Sequence, residues 1–322
     1  MTPSWTGWRP LSAAPRFTPA VLAEILDGGQ AFRWHASAEA DGTTWTGIWS
    51  SSHFRLCLDS SGQLLWSIPQ SPANASEAAA SENTLRRYLC GHDTPALVDA
   101  LPWRSDAHLA RCIEAFPGLT LLRQPFGETL LAFLCSATKQ IVQIRQMLAL
   151  LAGRHGEPLR GNAVRTLPSW TRLATIPESG LRACQLGFRA RYISETARYL
   201  AARPGWLEET EALPYPEAKA RLMALPGVGE KVADCVLLFG AGRLEAFPVD
   251  TWIIKAMTRH YGLHGWAPQQ VAHFGRVHFG GAAGLAQQYL FAWERREAGR
   301  LPQVAPAAAA RTARTNSARA SM

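Results

Sequence analysis

LMALPGVGEKVADCVLLFGAGRLEAFPVDTWIIKAM, residues 222–257, decides the reading of this chain. Met223 and Ala224 close one predicted helix, Leu225-Pro226-Gly227-Val228-Gly229 makes a tight turn, and Glu230 opens a second helix, predicted over 230–239. Gly227 and Gly229 lift the steric limit on φ and let another backbone come close. Amides at the start of the second helix then point outward, with the positive end of its dipole behind them. That arrangement suits an anion such as a phosphodiester. A plain helix–turn–helix corner would carry the same five residues, so the turn alone leaves both readings open.

Lys231 lies in the first turn of that second helix, where the dipole prefers acids to cations. A free lysine has a pKa of about 10.4 and is almost fully charged at neutral pH. Desolvation and a helix N-terminus both lower that value and make the amine nucleophilic. A solvated lysine is the bland alternative. Nineteen residues later, in Phe247-Pro248-Val249-Asp250, the aspartate is placed to cap a helix beginning at Thr251. Capping does not prevent it from stabilising developing oxocarbenium charge, or moving a proton, beside a C1′–N bond. An ionised Asp250 would also raise the lysine pKa, against burial and dipole.

Working outward, the segments WTGIW, HFRLCL and GQLLWSI between Thr44 and Ile68 are short and separated by Ser/Asp/Gly turns. Phe54, Leu56 and Leu58 alternate with polar or small residues, the period of a half-buried strand, and the first third reads as β-rich. Ser71 to Ala80 reads as a loop, with a short helix starting near Asn83. From about Pro117, apolar residues recur at three and four positions through Leu151, which predicts an amphipathic helix or two in succession. Further helices are predicted at 192–202, 216–224, 250–260 and 284–297.

The 322 residues are 47% hydrophobic and 9% aromatic, a globular composition large enough for two domains. The net charge of +8 is compatible with nucleic acid without requiring it. Six cysteines, each more than 20 residues from the next, form no CxxC or Cys/His cluster, which argues against structural zinc or an iron–sulfur cluster. With no run of 18 apolar residues and no secretory core, the expectation is a soluble intracellular protein. The last 22 residues carry three arginines and no acid, and are read as a disordered basic tail with a secondary role in phosphate contact.

Helix, LPGVG, lysine, loop and PVD together resemble the helix-hairpin-helix/Gly-Pro-Asp superfamily of DNA glycosylases. Within it, VGEKVADC followed by FPVD is similar to the 8-oxoguanine DNA glycosylases. Four further blocks match that family in order: GGQAFRW (28–34), LLRQPFGETLLAFLCSATKQI (121–141), LGFRARYI (186–193) and AGLAQQYLF (283–291). The resemblance runs from roughly Phe17 to Arg296.

The resemblance implies a role for each matching residue. Lys231 attacks C1′, releases the base and forms a Schiff base that permits β-elimination, with Asp250 as the essential carboxylate. The Gly29 carbonyl accepts from N7–H of the oxidised purine, Cys235 and Phe291 sandwich the flipped base, and Gln287 reads its Watson–Crick edge. Gly227, Gly229, Phe188, Arg189 and Lys139 are the implied DNA contacts. Read without the family, Cys235 and Phe291 fit ordinary core positions and Gln287 fits a surface one.

Departures from the pattern fall elsewhere. The family commonly carries an Asn-rich run after its FxCS motif, with an arginine soon after, to hold the orphaned base. Here that stretch is Ala137-Thr138-Lys139-Gln140, with Gln143 in the arginine's place. Phe188 replaces the wedge tyrosine, and Trp252 replaces a histidine expected after Asp250. Opposite-base selectivity is therefore expected to be weak.

The expected architecture is α+β, with an N-terminal antiparallel β domain (1–115), a helical helix-hairpin-helix domain (116–300) and the tail (301–322). The expected partner is double-stranded DNA holding an oxidised purine, bound by a monomer, with no cofactor and no catalytic metal. Two alternatives are a monofunctional alkylated-base glycosylase, which needs no lysine, and a non-catalytic DNA-binding hairpin, which needs neither Lys231 nor Asp250. Endonuclease III-like enzymes usually carry a cysteine cluster that this sequence lacks.

Overall fold

In a computed structural model of the chain, residues 4–39, 42–70, 75–159 and 164–300 are described, so the basic tail lies outside the described residues. Five strands, β1 (Arg9–Pro10), β2 (Trp34–Glu39), β3 (Gly42–Trp49), β4 (Ser52–Leu58) and β5 (Leu64–Ser67), form an antiparallel sheet in the order β1-β5-β4-β3-β2. Alternation turns Trp45 and Trp49 of β3 and Phe54 and Leu56 of β4 into the core, where Trp34 and Trp66 join them. Trp49 stacks on Phe54 at 5.0 Å and on Tyr88 at 4.1 Å. The Trp34 indole N–H donates to the Tyr88 hydroxyl at 3.1 Å, which satisfies a buried donor.

Tyr88 belongs to the helix Ala75–Leu89, which begins inside the stretch read as a loop and corrects that reading. Alanine and glutamate are strong helix formers, and buried Leu85, Tyr88 and Leu89 recur at helical spacing against the sheet. The antiparallel sheet lies in the first third as expected, with helices before and after its strands. Strands end at Ser67, while Pro19–Asp27, Thr94–Ala100 and Ala107–Ala115 are helical. Pro19–Asp27 has Thr18 as N-cap and proline in its first turn, signals present in the sequence.

Beyond Ser67 the described residues form helices and no further strand. The long amphipathic stretch is two helices, Phe126–Leu134 and Ile141–His155, divided at a turn where Thr138 has φ 54°. Arg189–Ala201, Tyr215–Met223, Glu230–Phe239, Thr251–Tyr261 and Ala283–Glu297 lie where helices were predicted, and Trp206–Ala212 and Pro268–Phe279 were not foreseen. Glu230–Phe239 packs between Phe126–Leu134 and Tyr215–Met223, and Thr251–Tyr261 packs on Ala283–Glu297. Among the described residues no helix is long and apolar enough to cross a membrane.

The segment before β2 is pinned across the fold by one buried side chain. Gln30 donates to the Thr120 carbonyl and accepts from the Leu122 amide, both at 2.9 Å, while Gln124 donates to the Gln30 carbonyl at 2.7 Å. These bonds hold Gly28 and Gly29 against the helical half of the molecule.

Candidate active site

The hairpin turn is built as the glycines require. Gly227 has φ 79°, and a Cβ there would lie 2.7 Å from the Tyr192 ring. Gly229 caps the helix Glu230–Phe239 without any side-chain bond to its first amides. A substitution Gly227→Ala meets both a left-handed backbone and a ring, so a loss of about 1–3 kcal/mol in stability is expected. Urea unfolding measures it, and an unchanged midpoint would refute the close packing of Tyr192 as the constraint.

The second hairpin helix is tied to the first by a buried carboxylate. Asp234 accepts from the Tyr215 hydroxyl at 2.7 Å and from Lys219 Nζ at 3.1 Å. Burial pushes its carboxyl up, and Lys219 pulls it back. This tie fixes the rotation of the helix and therefore the direction of Lys231. An acid on the inward face of an apolar helix was the available signal, and the sequence reading passed over it.

Lys231 is half-buried, its Nζ 5.1 Å from the centre of the Phe133 ring. It donates to Ser136 Oγ at 3.2 Å, and that hydroxyl donates onward to the Phe133 carbonyl at 2.7 Å. Ser136 carries no local signal in the sequence, and its contact with the amine appears only in three dimensions. Asp250 caps Thr251–Tyr261 as expected, its Oδ1 accepting from the Trp252 and Ile253 amides at 2.9 Å each. Both bonds use Oδ1, so Oδ2 remains clear of them. Desolvation is the largest influence on this carboxyl and pushes it up, while the Ile253 amide and the Lys231 charge pull it back. The lysine and aspartate thus feel each other's charge across 19 residues of sequence.

Cys235, one helical turn after Lys231, is buried, and burial pushes its thiol up to about 12. It is a neutral, soft side chain at neutral pH. Gly29 meets the helical half of the protein at Ile141 and Phe291. Its φ is 109°, and a Cβ there would lie 3.1 Å from Ile141 and 3.7 Å from the edge of the Phe291 ring. Gly29 and Phe291, 262 residues apart in sequence, are therefore neighbours. Gln287 is buried rather than on the surface. Its amide donates to the Pro248 carbonyl at 3.1 Å and accepts from Gln288 at 2.7 Å, which ties it to the loop carrying Asp250.

The residues expected against the orphaned base divide. Phe188 is 51% exposed, at the start of Arg189–Ala201. Arg189, expected as a DNA contact, is turned inward. Its guanidinium donates to the Ala137 carbonyl, to Thr138 Oγ1 at 3.0 Å and to the Leu186 carbonyl at 3.2 Å, with Phe188 over it at 4.3 Å. It holds the 137–138 turn from beneath. Lys139 sits half-exposed on that turn. Gln143 folds back to accept from the Gln140 amide at 3.2 Å, capping its own helix. Trp252 lies under Lys255 Nζ at 4.8 Å. Among the described residues no group of three or more His, Cys, Asp or Glu side chains is arranged to hold a metal ion.

Two family models tile most of the chain. Residues 16–130 match "8-oxoguanine DNA glycosylase, N-terminal domain", and residues 131–277 match "HhH-GPD superfamily base excision DNA repair protein". The N-glycosylase/DNA lyase OGG1 of Arabidopsis thaliana is 33% identical over 205 residues, which cover 58% of this chain and 55% of that relative. A probable N-glycosylase/DNA lyase of Methanothermobacter thermautotrophicus is 30% identical over 62% of this chain and 70% of its own length. Among solved structures, the Clostridium acetobutylicum 8-oxoguanine glycosylase/lyase, bound to double-stranded DNA with cytosine opposite 8-oxoguanine, superposes with a TM-score of 0.75. It is 29% identical, and the match covers 86% of this chain and 92% of that one.

Proposed function

Because this chain belongs to the 8-oxoguanine DNA glycosylase family of the HhH-GPD base excision DNA repair superfamily, we propose that it excises oxidised purines, 8-oxoguanine foremost, from duplex DNA. It then cleaves the strand at the resulting site, acting as a monomer. The observation that carries this reading is the meeting of Lys231, Asp250 and Cys235 at the start of the hairpin's second helix.

The chemistry follows from that placement. The neutral Lys231 amine attacks C1′, the C1′–N9 electron pair leaves with the base, and a proton reaches the departing purine. Asp250 lies where positive charge grows on the sugar and stabilises it. Loss of a proton from nitrogen and ring opening give the C1′ Schiff base, and removal of a C2′ proton expels the 3′ phosphate by β-elimination. Ser136 accepts a hydrogen bond from Nζ and aims it before attack. The flipped base lies between Cys235 and Phe291, with the Gly29 carbonyl against N7–H. Ordinary guanine offers an acceptor there, so two acceptors would face each other unpaired. The test is excision and borohydride trapping across a panel of lesion-bearing duplexes. Release of alkylated bases with no trapping would overturn the reading.

Weak discrimination of the opposite base follows from the same surface. Discrimination needs buried groups that the wrong base leaves unpaired. Gln143 is engaged in capping, Arg189 is engaged with Ala137 and Thr138, and Lys139 is a flexible point charge better suited to phosphate. Phe188 can fill the gap by stacking without choosing a base. Single-turnover excision with each of the four bases opposite the lesion is expected to vary within about tenfold, or roughly 1.4 kcal/mol. A preference for cytosine of about a hundredfold or more would show that other residues perform the readout.

A further inference from the structure

Glu24 and Arg295 form a buried ion pair between the first long helix and the last one. Their side chains are 3% and 7% exposed, with Oε1 and Nη1 2.7 Å apart. The same Nη1 donates to the Gly28 carbonyl at 2.8 Å, and the Gly28 amide donates to the Glu24 carbonyl at 2.9 Å. Arg295 lies one helical turn after Phe291 with its guanidinium 5.4 Å from the centre of that ring. Its Nη2 donates to the Arg300 carbonyl at 2.9 Å. One guanidinium therefore touches both the Gly28 carbonyl, next to Gly29 in the chain, and the Phe291 ring, and Glu24 anchors it.

Stability alone does not account for such a pair. Two charges removed from water repay their desolvation only with good geometry, and apolar side chains of similar volume often serve as well. Here one acceptor stays unmet, because Glu24 Oε2 is buried with no hydrogen-bond partner. Burial pushes the Glu24 carboxyl up to about 7, with Arg295 opposing that rise and the neighbouring Asp27 adding to it. Asp27 is itself paired with Arg145 at 2.5 Å.

We propose that Glu24 and Arg295 are positioning residues for lesion recognition. They set the direction of the Gly29 carbonyl and the height of the Phe291 ring, and so govern base excision without governing strand cleavage. This rests on the function proposed above. Cleavage of a duplex that already lacks the base uses Lys231 but neither Gly29 nor Phe291, so it reports on the fold and the nucleophile alone.

The experiment compares the wild type with Arg295→Met, Glu24→Gln and the double variant Glu24→Leu/Arg295→Leu. Each preparation is assayed for single-turnover excision of 8-oxoguanine and for β-elimination on a preformed abasic duplex, with thermal unfolding alongside. The single variants leave a charge or polar group unmatched and lose stability, whereas the double variant removes both charges and keeps a folded core. In the double variant excision is expected to fall about a hundredfold, the scale of a misplacement of roughly 1 Å near a reacting centre. Abasic cleavage is expected to stay within about threefold of wild type, under the tenfold that about 1.4 kcal/mol represents. Equal losses in both assays, or wild-type excision by the folded double variant, would overturn the positioning role. Failure of the wild type itself to excise any oxidised purine would instead overturn the proposed function.

Discussion

Lys231→Gln is expected to eliminate covalent trapping by sodium borohydride on 8-oxoguanine duplexes and to lower excision by about a thousandfold or more, the scale on which enzymes respond to loss of a nucleophile. Glutamine has no amine to form the imine that borohydride reduces. It retains polarity near Ser136, so the surrounding contacts are little disturbed. The position is half-buried and its hydrogen bond to Ser136 is a long one at 3.2 Å, so the melting temperature is expected to change little. Binding to lesion duplex is also expected to persist, because phosphate contacts dominate affinity. Denaturing gel analysis after borohydride treatment decides the matter. A cross-linked band that survives the substitution places the nucleophile elsewhere.

Asp250→Asn is expected to lower excision by about a hundred- to a thousandfold, the usual scale for removing one electrostatic partner of a transition state. The folded protein should not suffer. Asparagine is as good an N-cap as aspartate, so the bonds from the Trp252 and Ile253 amides are kept. The sign of the pH linkage points the same way. Burial raises the Asp250 carboxyl above its unfolded value, so the folded state favours the protonated form. Its ionised form therefore costs stability as pH rises through the folded pKa. The asparagine variant is expected to melt at the same temperature as the wild type or higher at neutral pH, while turning over far less. Excision by the wild type should also fall as pH drops through the raised pKa, because the sugar's growing charge then loses its counter-ion. Differential scanning calorimetry and single-turnover rates on one preparation test both statements. A large loss of melting temperature in the variant would mean that Asp250 acts chiefly as a structural ion pair.

The sequence by itself determined the elements whose signals are local. LPGVG followed by a lysine specified the hairpin, and Pro-Val-Asp before an amphipathic stretch specified the capped helix, because turns and caps depend on neighbours in the chain. Apolar periodicity located most of the helices around the site, and the alternation in HFRLCL located β4. The loop reading fails over 75–80, where alanine and glutamate favour helix although the small, polar residues resemble a break.

Only the tertiary structure decided which distant residues face each other. It brought Gly29 to Phe291, buried Gln287 against Pro248, turned Arg189 inward beneath Thr138, and closed Glu24 on Arg295. None of these follows from spacing along the chain. Whether an arginine meets solvent or a carbonyl, and whether a glutamate finds a cation, depends on desolvation and on contacts between segments more than 50 residues apart. The candidate residues Lys231 and Asp250 were therefore legible from local signals, whereas the neighbourhood of Gly29 and Phe291 exists only once both ends of the chain have packed together.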